Sequence, residues 1–217
     1  TTFSTPGRYR TGSAGWAIPG TELKIAGDGE ILFRGPNVFI GYHKQPEKTS
    51  ETLDEDGWVH SGDIGMLDDE GFVYVTDRKK ELIITSGGKN VAPVPIESRL
   101  KGIRGVEQAV VVGDRRKYLA AILLVNPEDL ATVVDGHVDQ VEDSNDTAGE
   151  DRIRAYFADQ IDVVNAGLAP FEKIRRFALG SEGLSVEHNT LTPTLKLKRR
   201  VIQEYFAETI DNLYRDV

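Results

Sequence analysis

The sequence predicts an α+β chain in two parts, a β-rich piece over residues 1–77 and a small α+β domain over residues 78–217. Three observations predict this. Short alternating polar–apolar runs joined by Asp/Gly turns fill the first third. Continuous β-branched runs follow, and helix-spaced apolar residues occupy the last third. The second part is expected to hold an antiparallel sheet and about three helices. A length of 217 residues suits two small units better than one.

In the first part, Glu22 to Ala26 and Glu30 to Arg34 alternate around Gly27-Asp28-Gly29. Asp and Gly tolerate the positive φ of a tight turn, so this reads as a hairpin. Asp63 to Leu67 and Phe72 to Asp77 bracket Asp68-Asp-Glu-Gly71 in the same way. Pro46 to Leu53 reads as a short helix or loop. The texture changes between Asp77 and Lys80, where the boundary is placed. Val106 to Val112 and Leu119 to Val125 form a second kind of hairpin, apolar on both faces, around Gly113 to Lys117. Helices are expected over Pro127 to Val134 and over Asp151 to Ala166, the latter carrying Ile153, Tyr156, Phe157, Ile161 and Val164 at helical spacing and ended by Gly167 and Pro170. Phe171 to Leu179 reads as a strand. A last helix runs from about Arg199 to Leu213, with Ile202, Tyr205, Phe206, Ile210 and Leu213 on one face.

Composition excludes several classes. The absence of cysteine removes disulfides, thiolate metal sites and a cysteine nucleophile from this chain. No apolar run is long enough to span a bilayer. The polar opening, Thr1 to Arg10, does not resemble a signal peptide and reads instead as a cut within a longer protein. The formal charge of −9 is local. Between Tyr118 and Asp151 there is no lysine or arginine but nine acids, and without them 26 acids face 26 bases. That segment reads as a solvated loop, and the balance elsewhere gives no footing for nucleic-acid binding. His43, His60, His137 and His188 lack metal-ligand spacing, so no metal site is assigned.

Three constellations carry chemistry. Asp56-Gly-Trp-Val-His-Ser-Gly-Asp63 presents a carboxylate after a glycine, suited to accept two hydrogen bonds from a vicinal diol. On its own it is also an ordinary turn. Asp77-Arg78-Lys79-Lys80 leads into Ile83-Ile-Thr-Ser-Gly-Gly-Lys89, where two glycines let a backbone approach a ligand and Lys89 offers a cation. On its own this is also a hairpin with a solvated lysine. Leu191-Thr-Pro-Thr-Leu-Lys-Leu-Lys-Arg-Arg200 puts a lysine ahead of a helix, able to stabilise a developing anion or simply to face water.

In this order, the three sets resemble the acyl-adenylate-forming enzymes, and within them long-chain fatty-acid–CoA ligases. Gly29-Glu-Ile-Leu-Phe-Arg-Gly-Pro-Asn-Val-Phe-Ile-Gly-Tyr42 is similar to the family's Gly-Glu…Arg-Gly…Gly-Tyr motif. Asp56-Gly-Trp58 with Ser61-Gly-Asp63 resembles its ribose motif, with Ser61 where Thr is commoner. Asp77-Arg78 with Lys80 resembles its interdomain hinge. Leu191-Thr-Pro-Thr-Leu-Lys196 resembles its C-terminal lysine motif in the long-chain form. The resemblance spans roughly Gly15 to Tyr214.

The resemblance implies an ATP-dependent ligase that makes an acyl-adenylate and then a coenzyme A thioester. Residues 1–77 would be the β-rich, distorted barrel-like end of a large AMP-binding N-terminal domain, and residues 78–217 its mobile lid. Asp63 and Arg78 would contact the ATP ribose and phosphates. Lys196 would bridge carboxylate and α-phosphate as the catalytic residue, and Lys80 would be the hinge. Gly87 and Gly88 would shape the pantetheine tunnel of the co-substrate coenzyme A, with Lys89 near phosphate. His60 is assigned loop support. No phosphate loop and no Thr-Glu motif for the Mg2+-linked glutamate occurs, so the Mg2+ site and fatty-acid pocket are expected in a missing N-terminal domain. The fragment alone is expected to be inactive. The absence of cysteine fits a cytoplasmic location, with room for peripheral membrane contact. An adenylation domain acylating a carrier protein, a luciferase-like oxidase and a non-catalytic binding module remain as alternatives.

Overall fold

A computed structural model describes residues 1–125, 147–180, 189–192 and 197–215. The expected helix over Pro127 to Val134 and most of the acidic segment lie outside these. The chain divides into two compact units, Thr1–Leu82 and Ile83–Val217.

The first unit is built on an antiparallel four-stranded meander, β3 (Glu22–Ile25), β4 (Glu30–Arg34), β5 (Val59–Leu67) and β6 (Val73–Arg78), in that spatial order. A two-stranded ribbon, β1 (Thr2–Phe3) with β2 (Trp16–Ala17), adjoins it through a bridge from Trp16 to Phe72. Helix α1 (Pro46–Thr52) joins β4 to β5, with proline in its first turn. The β3–β4 turn closes as its Asp/Gly content dictates, with Gly29 at φ +87° and its N–H bonded to the Ala26 carbonyl at 2.9 Å. Ile31, Leu32, Val59, Phe72 and Val73 form its core. Strand β5 starts four residues earlier than its apolar pattern suggests, because Val59 and His60 pair with Phe33 and Leu32. The β5–β6 register slips between Ile64 and Gly65, next to Asp63. Such bulges re-aim neighbouring side chains. Gly65 is required there, since a Cβ would lie 2.2 Å from the Tyr74 carbonyl oxygen.

A one-turn 3-10 helix, Lys79–Glu81, follows β6 and precedes the division at Leu82/Ile83.

The second unit begins with a small hairpin, β7 (Ile83–Ile84) and β8 (Asn90–Val91), then helix α2 (Pro93–Leu100). Strands β9 (Val106–Val112) and β10 (Leu119–Val125) form the hairpin read from sequence. After α3 (Thr147–Ala166) comes β11 (Ile174–Gly180), then α4 (Arg199–Tyr205) and α5 (Ala207–Tyr214). The sheet order is β11-β10-β9. Strand β10 runs antiparallel to β9, as the expected antiparallel sheet requires, and parallel to β11, whose direction the sequence left open. The connection through α3 explains this, since a crossover helix returns the chain to the starting end of the sheet.

Every residue of β10 is buried because both sheet faces are covered. Ala109, Val111, Ala121 and Leu123 pack with Ile96, Leu100, Phe157 and Ile161 from α2 and α3. The alternate residues Val110, Val112, Ile122 and Leu124 pack with Ile202 and Leu213 from α4 and α5. Helix α2 was not anticipated: two prolines in its first turn disguise the Ile96/Leu100 spacing that the core uses. The expected last helix is interrupted at Phe206, whose φ of −99° and ψ of 20° leave the helical range. Four described helices therefore stand in this unit where about three were expected.

Candidate functional site

The antiparallel register places Asp63 of β5 directly opposite Arg78 of β6. The Arg78 Nε lies 2.7 Å from Asp63 Oδ1. The Asp63 side chain is about 30% exposed and that of Arg78 68%, so both can meet a solvent-borne ligand. Ser61 Oγ accepts the Asp63 N–H at 3.0 Å and fixes the turn that presents the carboxylate. An ionised carboxylate is an acceptor only, and a guanidinium a donor only. Side by side they suit a ligand with a hydroxyl pair and an anionic group.

Behind this pair lies a carboxylate that the motifs did not single out. Glu30, at the start of β4, is 2% exposed. Its Oε1 accepts the Gly62 N–H at 2.8 Å, one residue before Asp63. Its Oε2 accepts from His60 Nδ1 at 2.9 Å and from Lys79 Nζ at 2.8 Å. Because an ionised Glu30 cannot donate, Nδ1 of His60 carries the proton. Lys79 also meets Asp28 Oδ2 at 2.7 Å. Burial raises the Glu30 pKa, but hydrogen bonds from Lys79, His60 and Gly62 outweigh it and hold the group below the usual carboxylate range. The Asp28 and Glu30 hydrogen bonds push the Lys79 ammonium up. Sequence reading missed Glu30 because the run Glu30 to Arg34 presents it as the polar end of an alternating strand. Its one sequence signal was a place in the Gly29-Glu30 motif.

Lys80 sits exposed in the 3-10 turn, two residues before the division. Gly87, Gly88 and Lys89 share the β7–β8 turn. Gly88 has φ +73°, and Thr85 closes the turn by pairing with Lys89 through backbone and hydroxyl. No atom lies within 4 Å of where a Gly88 Cβ would be, so the turn leaves open space there. Lys89 Nζ stands 5.8 Å from the Phe171 ring centroid. The Ser86 N–H donates to the Arg116 carbonyl at 2.9 Å, tying this turn to the β9–β10 turn.

Lys196 lies outside the described residues. Its flanks are held: Leu191 and Leu197 form an antiparallel bridge, and the Lys198 N–H donates to Thr190 at 2.9 Å. Arg199 makes a bidentate pair with Glu97 of α2, at 2.7 and 2.6 Å, with both side chains nearly buried. Glu97 Oε1 also accepts the Val111 N–H. The structure thus joins Asp63 with Arg78, and Gly87, Gly88 and Lys89 with one another, each group within its own unit. Among the described residues no group of three or more His, Asp or Glu side chains could hold a metal ion.

Residues 80–217 match the AMP-binding enzyme C-terminal domain family. The chain belongs to that family. The long-chain-fatty-acid–CoA ligase FadD15 of Mycobacterium tuberculosis is 37% identical over 206 residues, covering 94% of this chain and 34% of the relative. The adenylation domain of a carboxylate reductase from Mycobacterium chelonae is similar in structure, with TM-score 0.69 and 28% identity over 87% of this chain and 28% of that one. The A-PCP didomain of a carboxylic acid reductase from Segniliparus rugosus, solved with AMP, gives TM-score 0.64 at 25% identity over 90% of this chain and 27% of that one. The chain spans about a third of the length of the curated relatives it matches. As an AMP-binding enzyme C-terminal domain, it has a fold similar to that of adenylate-forming enzymes.

Proposed function

We propose that this chain supplies the ribose clamp and the lysine-bearing lid of a long-chain fatty-acid–CoA ligase. In the first half-reaction a fatty-acid carboxylate attacks the α-phosphate of ATP and pyrophosphate leaves. In the second, the coenzyme A thiol attacks the acyl carbon and AMP leaves. The observation that carries the reading is the Asp63–Arg78 pair, an acceptor and a donor facing each other across β5 and β6 where β6 meets the Lys79–Glu81 turn, in a member of this family.

Asp63 accepts the ribose hydroxyls and Arg78 contacts ribose or phosphate. Lys196 offsets charge that builds between carboxylate and α-phosphate, a role that rests on its motif. The residues that follow Lys80 form a lid that turns about it, since a few linker residues suffice to absorb a large φ/ψ change. The open Gly87-Gly88 turn accommodates the pantetheine arm, and Lys89 a phosphate. The phosphate loop, the Mg2+ site and the acyl pocket belong to the rest of the ligase, so the 217 residues alone form no thioester. The enzyme works in the cytoplasm, with contact to a membrane surface compatible with its substrate.

The test is nucleotide affinity. Removing the Asp63 carboxylate (Asp63→Ala) in the ligase containing this chain should raise the KM for ATP by about tenfold, the worth of a charge-assisted hydrogen bond. An unchanged KM would sink the assignment. A second reading, transfer to a carrier protein, draws on the likeness to the A-PCP didomain. Supplying coenzyme A and a phosphopantetheinylated carrier in parallel separates the two by which thiol becomes acylated.

A further inference from the structure

Lys79 lies between the proposed ribose ligand Arg78 and the proposed pivot Lys80, and it is not solvated as a run of lysines suggests. Its ammonium reaches two carboxylates, Asp28 at 2.7 Å and the buried Glu30 at 2.8 Å, which flank the β3–β4 turn. The same Glu30 holds the Gly62 N–H at 2.8 Å and the His60 ring at 2.9 Å. Gly62, at φ +73°, sets the direction in which Asp63 leaves the turn. One side chain therefore grips both the strand that offers the carboxylate and the first residue of the linker turn. Were Glu30 only closing its own β3–β4 hairpin, its donors would come from that hairpin. Three donors from two separate segments converge on it instead.

We propose that Glu30 and Lys79 are positioning residues that hold the ribose-binding turn and the start of the linker in one rigid frame, so that lid rotation begins after Lys79. Neither touches substrate; each acts through a neighbour, Glu30 through Gly62–Asp63 and Lys79 through Lys80. The inference rests on the ligase reading above and adds to it where the fixed side of the pivot lies. A buried carboxylate with three donors is stiff, since losing any one leaves charge unpaired in a poorly solvated place. A pivot needs such a fixed side if rotation is to end in two defined orientations rather than a spread of them.

The experiment measures ATP-dependent adenylation and thioester formation from preformed adenylate separately, in the ligase containing this chain. Lys79→Met keeps the length and apolar stem but removes the charge. Its side chain is 42% exposed, so the change opens no cavity, and circular dichroism of the variant establishes its fold before rates are compared. Lys79→Met should shift the ratio of the two half-reaction rates by about tenfold, and Lys79→Arg should restore most of it. Glu30→Gln should shift the same ratio and also raise the KM for ATP, because whichever way the amide sits its nitrogen cannot accept, from Gly62 on one side or from Lys79 and His60 on the other. Equal loss in both half-reactions for Lys79→Met overturns the proposal, as does a folded Glu30→Gln enzyme with unchanged KM. Asp63→Ala runs alongside. If it weakens ATP and the Lys79 and Glu30 variants behave as wild type, the frame alone is wrong. If Asp63→Ala is itself silent, the ligase reading fails and the frame with it.

Discussion

A carboxylate that is 2% exposed costs free energy unless it is satisfied, and Glu30 is satisfied by an ammonium, an imidazole and a backbone N–H. The folded state therefore holds Glu30 ionised to lower pH than an unfolded chain would. Asp28 is likewise held below its usual range, by Lys79 and then by the Glu30 N–H. A depressed carboxylate pKa contributes stability that is present above the unfolded value, 4.5 for Glu30 and 3.8 for Asp28, and is lost as pH falls through the folded value. Lys79 runs the other way. Its pKa is raised above 10.5, so its contribution is complete below that pH and fades as alkali deprotonates the folded ammonium. Urea midpoints of the chain should therefore fall as pH drops below about 4.5. Glu30→Gln, with nothing left to titrate there, should give a flatter acid limb; parallel curves would remove Glu30 from the account. Asp63 and Arg78 were legible in the sequence because a motif marks each, and strand register alone then had to bring them together. Glu30, Lys79 and Asp28 were not, because a charged residue reads as solvent-facing until its partners from other strands are known.

Elements were legible where one local rule decides them. The β9–β10 hairpin follows from two apolar, β-branched runs around Gly113-Asp114, and its ends match the structure residue for residue. The β5–β6 hairpin follows from Asp68 and Gly71, the Asp68 carboxylate accepting the N–H groups of Glu70 and Phe72 at 3.0 and 2.9 Å. Tertiary partners settle what local rules could not. Strand β11 takes its parallel direction from the α3 crossover, and its first residue, Ile174, is held at both N–H and C=O by the buried Asn165 amide. Helix α2 is fixed by what its inner face meets: Ile96 and Leu100 enter the core, and Glu97 between them pairs with Arg199 at the start of α4. The Glu97–Arg199 pair spans 102 residues of sequence, so no pattern reading finds it. Arg199→Ala should destabilise the second unit by about 3–5 kcal/mol, since it strands a buried carboxylate. Replacing both partners by apolar residues of similar volume should recover much of that loss. Urea denaturation of the single and double variants checks this, and a double variant no better than Arg199→Ala would show that the pair does more than satisfy charge.

Each of the two units has its own apolar core, the first around Phe72 and Val73 and the second around both faces of β10. A chain so divided can move as two bodies if the backbone near the division permits it, and the segment at issue is the 3-10 turn Lys79–Glu81 at the end of the first unit. The family resemblance was legible along almost the whole sequence, because residue type in the motifs, on β4, β5 and β6 as well as in turns, follows chemistry more than packing. The proposed pivot at Lys80 rests on its motif alone. Proline at position 80 tests it. The ring fixes φ near −65°, and it steers the preceding Lys79 away from helical ψ, so the turn loses conformers it now has. A ligase that alternates between two lid orientations should then keep one half-reaction near its normal rate and lose the other by more than about tenfold, a difference of at least 1.4 kcal/mol in barrier. Single-turnover adenylation and thioesterification rates read this directly. Lys80→Ala, which removes the side chain and leaves φ free, should retain the balance between the half-reactions that proline destroys. If alanine and proline instead lower both rates by the same factor, the lysine side chain matters and the backbone does not turn there.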